Sequence, residues 1–128
     1  DLIMYDDSNN DFPFNCYVLR VGALEKVCEQ KKETDTEVWL NFFRAHGSFK
    51  IHSMKVEDKY RHNSLKTSLD YPEDYEFMKK IFGKLYSPDR VFSLLDVIEL
   101  VNRHPDILAI NANPDLLKRW RGHQVSVS

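Results

Sequence analysis

The stretch that decides the fold is residues 67–74, which read Thr-Ser-Leu-Asp-Tyr-Pro-Glu-Asp. Its first three residues favour an extended strand, whereas Pro72 is tolerated in the first turn of a helix and not in its interior. The apolar residues from 75 to 82 then recur at helical spacing. We therefore predict that Asp70 lies at the carboxyl end of a strand and the start of a helix, where open α/β sheets bind ligands, phosphates and metal ions.

Asp70 also has a simpler interpretation, as a helix cap. Asp70 and Glu73 have the spacing of a capping box, in which two side chains satisfy the free N–H groups of the first turn. Asp74 and Glu76 are acidic residues of the kind that the positive end of a helix dipole favours. Caps are common and ligand sites are few, so these residues alone favour the cap. One carboxylate oxygen suffices for capping, so the two roles are compatible.

The hydrophobic pattern of the remaining chain predicts strands interleaved with helices. Strands are expected at residues 2–5, 14–21 and 49–56, and a loop at 57–63. Helices are expected at residues 22–32, from a cap at Asp35 or Thr36 to Gly47, from Pro72 to about Tyr86, from Ser93 to Pro105, and at 114–121. This order predicts an α/β or α+β fold, and we take it as α/β with a mixed sheet and flanking helices. We expect a single domain over residues 1–128 with a flexible tail at 122–128.

The apolar faces of these helices predict the core. Leu24, Val27 and Cys28 share one face of the first helix, and Cys16 is also expected to be a small buried residue. In the helix that starts at Ser93, with Asp96 at capping-box spacing, the expected buried face consists of Leu94, Val97, Ile98 and Val101. Trp39, Phe42 and Phe43 form an aromatic stripe that indicates core first and a homodimer interface second.

Composition excludes several classes of protein. The 128 residues carry 18 basic and 20 acidic side chains, a net charge of -2, which argues against a general nucleic-acid binder. The basic cluster at Lys118, Arg119 and Arg121 is typical of a solvated helix face. No apolar run approaches the ~18 residues of a membrane span, so membrane insertion is not expected. Two cysteines are too few for a disulfide framework and suit a reducing cytoplasm.

Several ordered segments resemble the carboxyl-terminal half of a sugar cytidylyltransferase. They are residues 66–85, Phe-Ser-Leu-Leu-Asp-Val-Ile at 92–98, His-Pro-Asp at 104–106 and Ile-Asn at 110–111. That family ends its last sheet strand in an Asp-x-Pro-Glu-Asp turn followed by a His-Pro-x-x-x-x-Ile-Asn segment. The similarity is greatest to the spore-coat polysaccharide branch, which is related to the acylneuraminate and KDO cytidylyltransferases. It covers roughly residues 12 to 112.

The resemblance implies a partial Rossmann-like nucleotidyltransferase domain and a function. Such an enzyme transfers CMP from CTP to a sugar with Mg²⁺ and releases pyrophosphate, here for cell-surface polysaccharide synthesis, and it commonly forms a homodimer. The metal-binding role passes by position to Asp70. Ser68 stands where many acidic-sugar synthetases carry a second Asp, which weakens two-carboxylate binding. Arg61 and Lys66 are candidates for binding phosphate or a sugar carboxylate, with ordinary surface cations as the alternative. No residue of this chain is assigned as catalytic.

The nucleotide-binding part of such an enzyme has no counterpart in this sequence. The family holds CTP with a glycine-rich loop and basic residues, whereas none of the four glycines here lies in such a loop. We therefore expect a carboxyl-terminal portion that is inactive alone and that binds CTP and a sugar only within the intact enzyme. The alternative is a non-catalytic oligomerisation or interaction module derived from that fold.

Overall fold

The computed structural model describes residues 1–5, 11–14, 16–32, 39–45, 47–112 and 115. The predicted cap at Asp35 or Thr36 lies outside the described residues. So do the tail at 122–128, the basic cluster and, except for Asp115, the helix at 114–121. The described residues group into two compact units, one made of residues 1–5 and 16–55 and the other of residues 11–14 and 56–115. The single domain expected over residues 1–128 stays a prediction.

The first unit contains a small mixed sheet. Strand β1 (Leu2–Tyr5) lies between β2 (Val18–Leu19) and β3 (Ile51–Met54). It pairs antiparallel with β2, with Leu2 opposite Leu19, and parallel with β3, with Leu2 opposite Ile51. Helices α1 (Val21–Gln30) and α2 (Leu40–Ala45) come between β2 and β3 in the chain. The mixed α/β class is therefore confirmed. Strands β2 and β3 are shorter than predicted, and all four residues of β3 are exposed.

Aromatic and aliphatic side chains form the core of this unit. Its buried residues are Leu2, Ala23, Val27 and Phe43. Phe43 contacts Trp39 edge-to-face at 5.8 Å between ring centroids and Phe49 at 4.8 Å. The core interpretation of the aromatic stripe is therefore confirmed for Phe43, and Trp39 and Phe42 pack against the same cluster.

The predicted buried face of the first helix is confirmed for Val27 and wrong for Leu24 and Cys28. Ala23 and Val27, four residues apart, point into the core, whereas Leu24 is 41% exposed. Cys28 lies one position beyond Val27 and is exposed, as is Cys16. The prediction of buried cysteines is wrong. For Cys28 the reason is that a one-residue shift on a helix turns a side chain by about 100°.

The second unit is helical. A 3₁₀ turn (Asp58–Tyr60) interrupts the predicted loop, and three α-helices follow: α3 (Pro72–Leu85), α4 (Leu94–Arg103) and α5 (Pro105–Leu108). The buried core consists of Leu65, Phe77, Ile81, Val97, Val101 and Ile107. The predicted face of α4 is confirmed, since Val97 and Val101 are buried and Leu94 and Ile98 pack against them.

The strand predicted at residues 67–69 is wrong, and Asp70 therefore does not follow a sheet strand. Side chains form hydrogen bonds with backbone groups that a neighbouring strand would otherwise bind. The carbonyl of Lys66 accepts a hydrogen bond from the Asn111 side chain at 3.1 Å, and the carbonyl of Ser68 accepts one from the Lys66 ammonium at 3.3 Å. Residues 67–69 are therefore not part of a ladder.

Within the described residues, no helix is both long enough and apolar enough to cross a membrane.

Candidate functional site

Helix α3 begins at a carboxylate that belongs to Asp74. Tyr71 is the N-cap and Pro72 the first helical residue. Oδ2 of Asp74 accepts hydrogen bonds from the backbone N–H groups of Tyr71 at 2.9 Å and Asp70 at 3.0 Å. The capping pair predicted at Asp70 and Glu73 is therefore wrong by one residue. Because Asp74 does the capping, the Asp70 side chain is available for other contacts.

A buried ion pair holds this turn in place. The ammonium of Lys66 binds Oδ2 of Asp74, and the two residues are only 3% and 2% exposed. The same nitrogen also lies 5.4 Å from the centre of the Tyr71 ring. The alternative that Lys66 is an ordinary surface cation is therefore wrong. A buried charge is tolerated when it is paired and hydrogen-bonded, and both conditions hold here.

Asn111 completes the buried cluster from the far end of the described chain. Its Nδ2 donates to Oδ1 of Asp74 and to the carbonyl of Lys66, both at 3.1 Å. The residue is 1% exposed, and its Oδ1 has no hydrogen-bond partner among the described residues. Asn111 thus ties the segment after α5 to the start of α3. We refer to Lys66, Asp74 and Asn111 as the buried polar cluster.

The environment of Asp74 favours its charged form. Burial is the largest influence and by itself raises the pKa of the carboxyl group. Hydrogen bonds from Lys66, Asn111 and the backbone N–H groups of Asp70 and Tyr71 outweigh burial, so the pKa is lowered below its usual value. Asp74 is therefore an ionised structural group at neutral pH, and all of its bonds go to the protein itself.

Asp70 lies at the edge of this cluster and faces solvent. Its side chain is 51% exposed. Oδ2 accepts a hydrogen bond from the Ser68 hydroxyl at 2.8 Å and lies 3.0 Å from the Lys66 ammonium. Oδ1 has no partner among the residues that the structure describes. Asp70 thus offers one oriented carboxylate oxygen to a ligand.

This donor set fits one kind of Mg²⁺ site. Mg²⁺ prefers oxygen ligands and is often held by one or two carboxylates together with waters and substrate phosphates. Oδ1 of Asp70 can supply one such ligand. In the part of the chain that the structure describes, no group of three or more acidic, histidine or cysteine side chains is placed to hold a metal ion.

Arg61 is held in a separate contact. Its Nη1 lies 2.5 Å from Oδ1 of Asp11, and its Nη2 donates to the carbonyl of Val56 at 3.3 Å. The side chain is 16% exposed. Arg61 thus joins residue 11 to the segment after residue 55, and its role in binding a substrate stays a prediction.

Sequence reasoning missed the importance of Asp74 and Asn111. Asp74 resembled an ordinary acidic residue of a first helical turn. Asn111, however, stands between Ile110 and Ala112, and an amide flanked by apolar residues is a signal of a buried hydrogen bond. Neither residue reveals its partner by spacing, because 37 positions separate them.

Comparisons of this chain with protein-family models, with curated proteins and with solved structures found no match.

Proposed function

We propose that this chain is the carboxyl-terminal portion of a sugar cytidylyltransferase with a Rossmann-like nucleotidyltransferase fold. The intact enzyme would transfer CMP from CTP to a sugar, release pyrophosphate and serve cell-surface polysaccharide synthesis in the cytoplasm, as a homodimer. The proposed reaction is inferred from the segments that resemble the family. One structural observation supports the proposed metal site. Among the described residues, Oδ1 of Asp70 at the start of α3 has no partner, and Oδ2 is held by Ser68 and Lys66.

The residues of this chain would have distinct roles in that reaction. Asp70 would hold Mg²⁺ through Oδ1, and the ion would neutralise phosphate charge. The buried polar cluster fixes the backbone on which Asp70 stands, because Asp74 binds the N–H group of Asp70 itself. Lys66 is too buried to contact a nucleotide directly, so any contribution it makes to binding passes through Asp70. Arg61 is the remaining candidate for contact with phosphate or a sugar carboxylate.

The substitution Asp70→Asn tests the proposal. In the native polypeptide from source cells, it should lower pyrophosphate release from CTP by more than ~10²-fold, because a metal ligand is lost while the shape is kept. The matched control is Glu76→Gln, since Glu76 is on the same helix and its side chain is 55% exposed. Near-normal turnover in Asp70→Asn rules out the metal role. A native polypeptide that lacks any glycine-rich phosphate loop and any CTP-dependent activity rules out the enzyme.

An interaction module is the second candidate, and one observation favours it. Tyr75 and Phe82 on α3 and Tyr86, its C-cap, are 57%, 48% and 66% exposed and lie at helical spacing. Aromatic residues concentrated on one surface are typical of protein interfaces. A stable oligomer without Mg²⁺-dependent nucleotide binding by the native polypeptide would support this candidate over the enzyme.

A further inference from the structure

Helix α3 carries a row of exposed side chains that the core of its own unit does not use. The buried side of the helix is formed by Phe77 and Ile81, which are 0% exposed. The exposed row, which we call the α3 stripe, consists of Tyr75, Lys79, Phe82 and the C-cap Tyr86. Side chains three and four residues apart are neighbours on a helix, so the four side chains form one continuous surface.

Gly83 borders the α3 stripe, and no contact within the described chain requires a glycine there. It lies four residues after Lys79 and three before Tyr86, in an exposed part of the helix with ordinary helical backbone. A Cβ atom at this position would meet nothing within 4 Å. Glycine is unfavourable inside a helix, but it lets a second helix approach the backbone closely. Gly83 is therefore explained better by a neighbouring molecule than by the chain itself.

The spacing of the α3 stripe reads the same in both directions along the helix. A two-fold axis that passes between residues 80 and 81 would place Tyr75 opposite Tyr86 of a second copy. The same axis would place the Lys79 ammonium opposite the Phe82 ring of that copy. Aromatic pairs and an ammonium beside a ring are both favourable contacts. The surface on a two-fold axis has to be complementary to itself, and the α3 stripe meets this requirement.

The charges of α3 are complementary in the same arrangement. Glu73 and Glu76 lie in the amino-terminal half of the helix, whereas Lys80 and Lys84 lie exposed in its carboxyl-terminal half. Two antiparallel copies of α3 align the acidic half of each helix with the basic half of the other, and their helix dipoles also oppose. A parallel pair would align like charges. Spacing and charge thus favour the same antiparallel orientation.

We propose that the α3 stripe is the contact surface of a two-fold dimer, in which α3 packs antiparallel against α3 of a second copy. A second copy fits better than an unrelated helix, because both the spacing and the charges of this surface are complementary to themselves. The inference names a surface and an orientation, which the homodimer expected from the family resemblance does not. It does not rest on the proposed reaction, since neither Asp70 nor a nucleotide takes part in the contact.

Sedimentation equilibrium of the 128-residue chain tests the dimer. The unaltered chain should show a reversible monomer–dimer equilibrium. Gly83→Gln places a long side chain where the helices meet and should weaken association by about tenfold or more. The same substitution should raise the urea midpoint of the monomer, because Gln is the better helix former and a Cβ here meets nothing. The matched control is Gly22→Gln on α1, where the glycine is also helical and exposed.

The opposite signs expected for Gly83→Gln separate a contact surface from a purely structural role. Damage to the fold would lower the urea midpoint together with association, whereas loss of the contact alone weakens association in a more stable monomer. Gly22→Gln should leave association unchanged. A chain that stays monomeric at every concentration overturns the inference, and so does a dimer that Gly83→Gln does not weaken. Either result leaves the proposed reaction to be decided by Asp70→Asn.

A second measurement needs no substitution and tests the orientation of the helices. Tyr75 and Tyr86 lie at opposite ends of the α3 stripe, about 16 Å apart along the helix, so their rings cannot touch within one chain. In dimers mixed from isotopically labelled and unlabelled copies, nuclear Overhauser contacts should join the Tyr75 ring to the Tyr86 ring. Contacts between the two Tyr75 rings, or no contact between aromatic rings of the stripe, overturn the antiparallel arrangement.

Discussion

Helices α3 and α4 begin with the same local device in different surroundings. In each, an aspartate three residues after the N-cap accepts the N-cap backbone N–H, Asp74 from Tyr71 at 2.9 Å and Asp96 from Ser93 at 2.7 Å. Asp74 is 2% exposed, whereas the Asp96 side chain is 25% exposed. The comparison shows that a common helix cap becomes part of a buried core when distant partners reach it.

The partners of the two aspartates explain the difference. Asp96 binds Ser93 and Arg90, which lie three and six residues before it. Asp74 binds Lys66, eight residues before it, and Asn111, 37 residues after it. The start of α4 is therefore a local structure, whereas the start of α3 depends on the packing of the whole unit.

The largest expected effect is the loss of the Asp74 carboxylate. Asp74→Ala leaves the Lys66 ammonium buried without its main partner, and breaking a buried pair typically costs about 3–5 kcal/mol. Urea denaturation should report a loss of that size in the free energy of unfolding. Asp96→Ala removes the equivalent cap of α4 and should cost clearly less. Equal losses in the two variants would show that the buried polar cluster adds nothing to an ordinary cap.

The second prediction concerns acid stability. Folding lowers the pKa of Asp74, so in acid the unfolded chain binds more protons at this group than the folded chain. The contribution of Asp74 to the free energy of unfolding is complete above the pKa of ~4 that this group has in the unfolded chain. It is lost as the pH falls from there through the lower folded pKa. Urea denaturation between about pH 2 and 6 should show a steeper loss in the unaltered chain than in Asp74→Asn. Equal slopes would show that Asp74 is not held ionised by its hydrogen bonds.

The sequence predicts those parts of the structure that depend on near neighbours. Ser93 and Asp96 show capping-box spacing, and the structure forms that box. The apolar periodicity of α3 and α4 likewise places each helix within a few residues of its observed bounds. Local spacing suffices in these cases because the hydrogen bonds and the apolar face arise within one or two turns.

Predictions that depend on distant partners fail. Residues 67–69 have the composition of a strand, but a strand forms only beside another strand, and here side chains bind the backbone instead. The exposed position of Asp70 is consistent with its proposed role. The burial of Lys66 follows from Asp74 and Asn111, whose proximity no spacing in the sequence encodes. The mixed α/β class was thus accessible from the sequence, whereas the cluster that surrounds Asp70 was not, and the metal role of Asp70 stays a prediction.

The smallest expected effect is the loss of the Ser93 cap. The Ser93 hydroxyl accepts the backbone N–H of Asp96 at 3.3 Å and donates to its carboxylate at 2.8 Å. Ser93→Ala removes both bonds and should lower the free energy of unfolding by about 1 kcal/mol. Ser93→Asn retains a capping oxygen and should recover most of that loss in the same urea experiment. The effect should be small because water can replace these bonds at an exposed helix end. A loss of stability as large as that of Asp74→Ala would mean that α4, like α3, depends on packing beyond its own first turn.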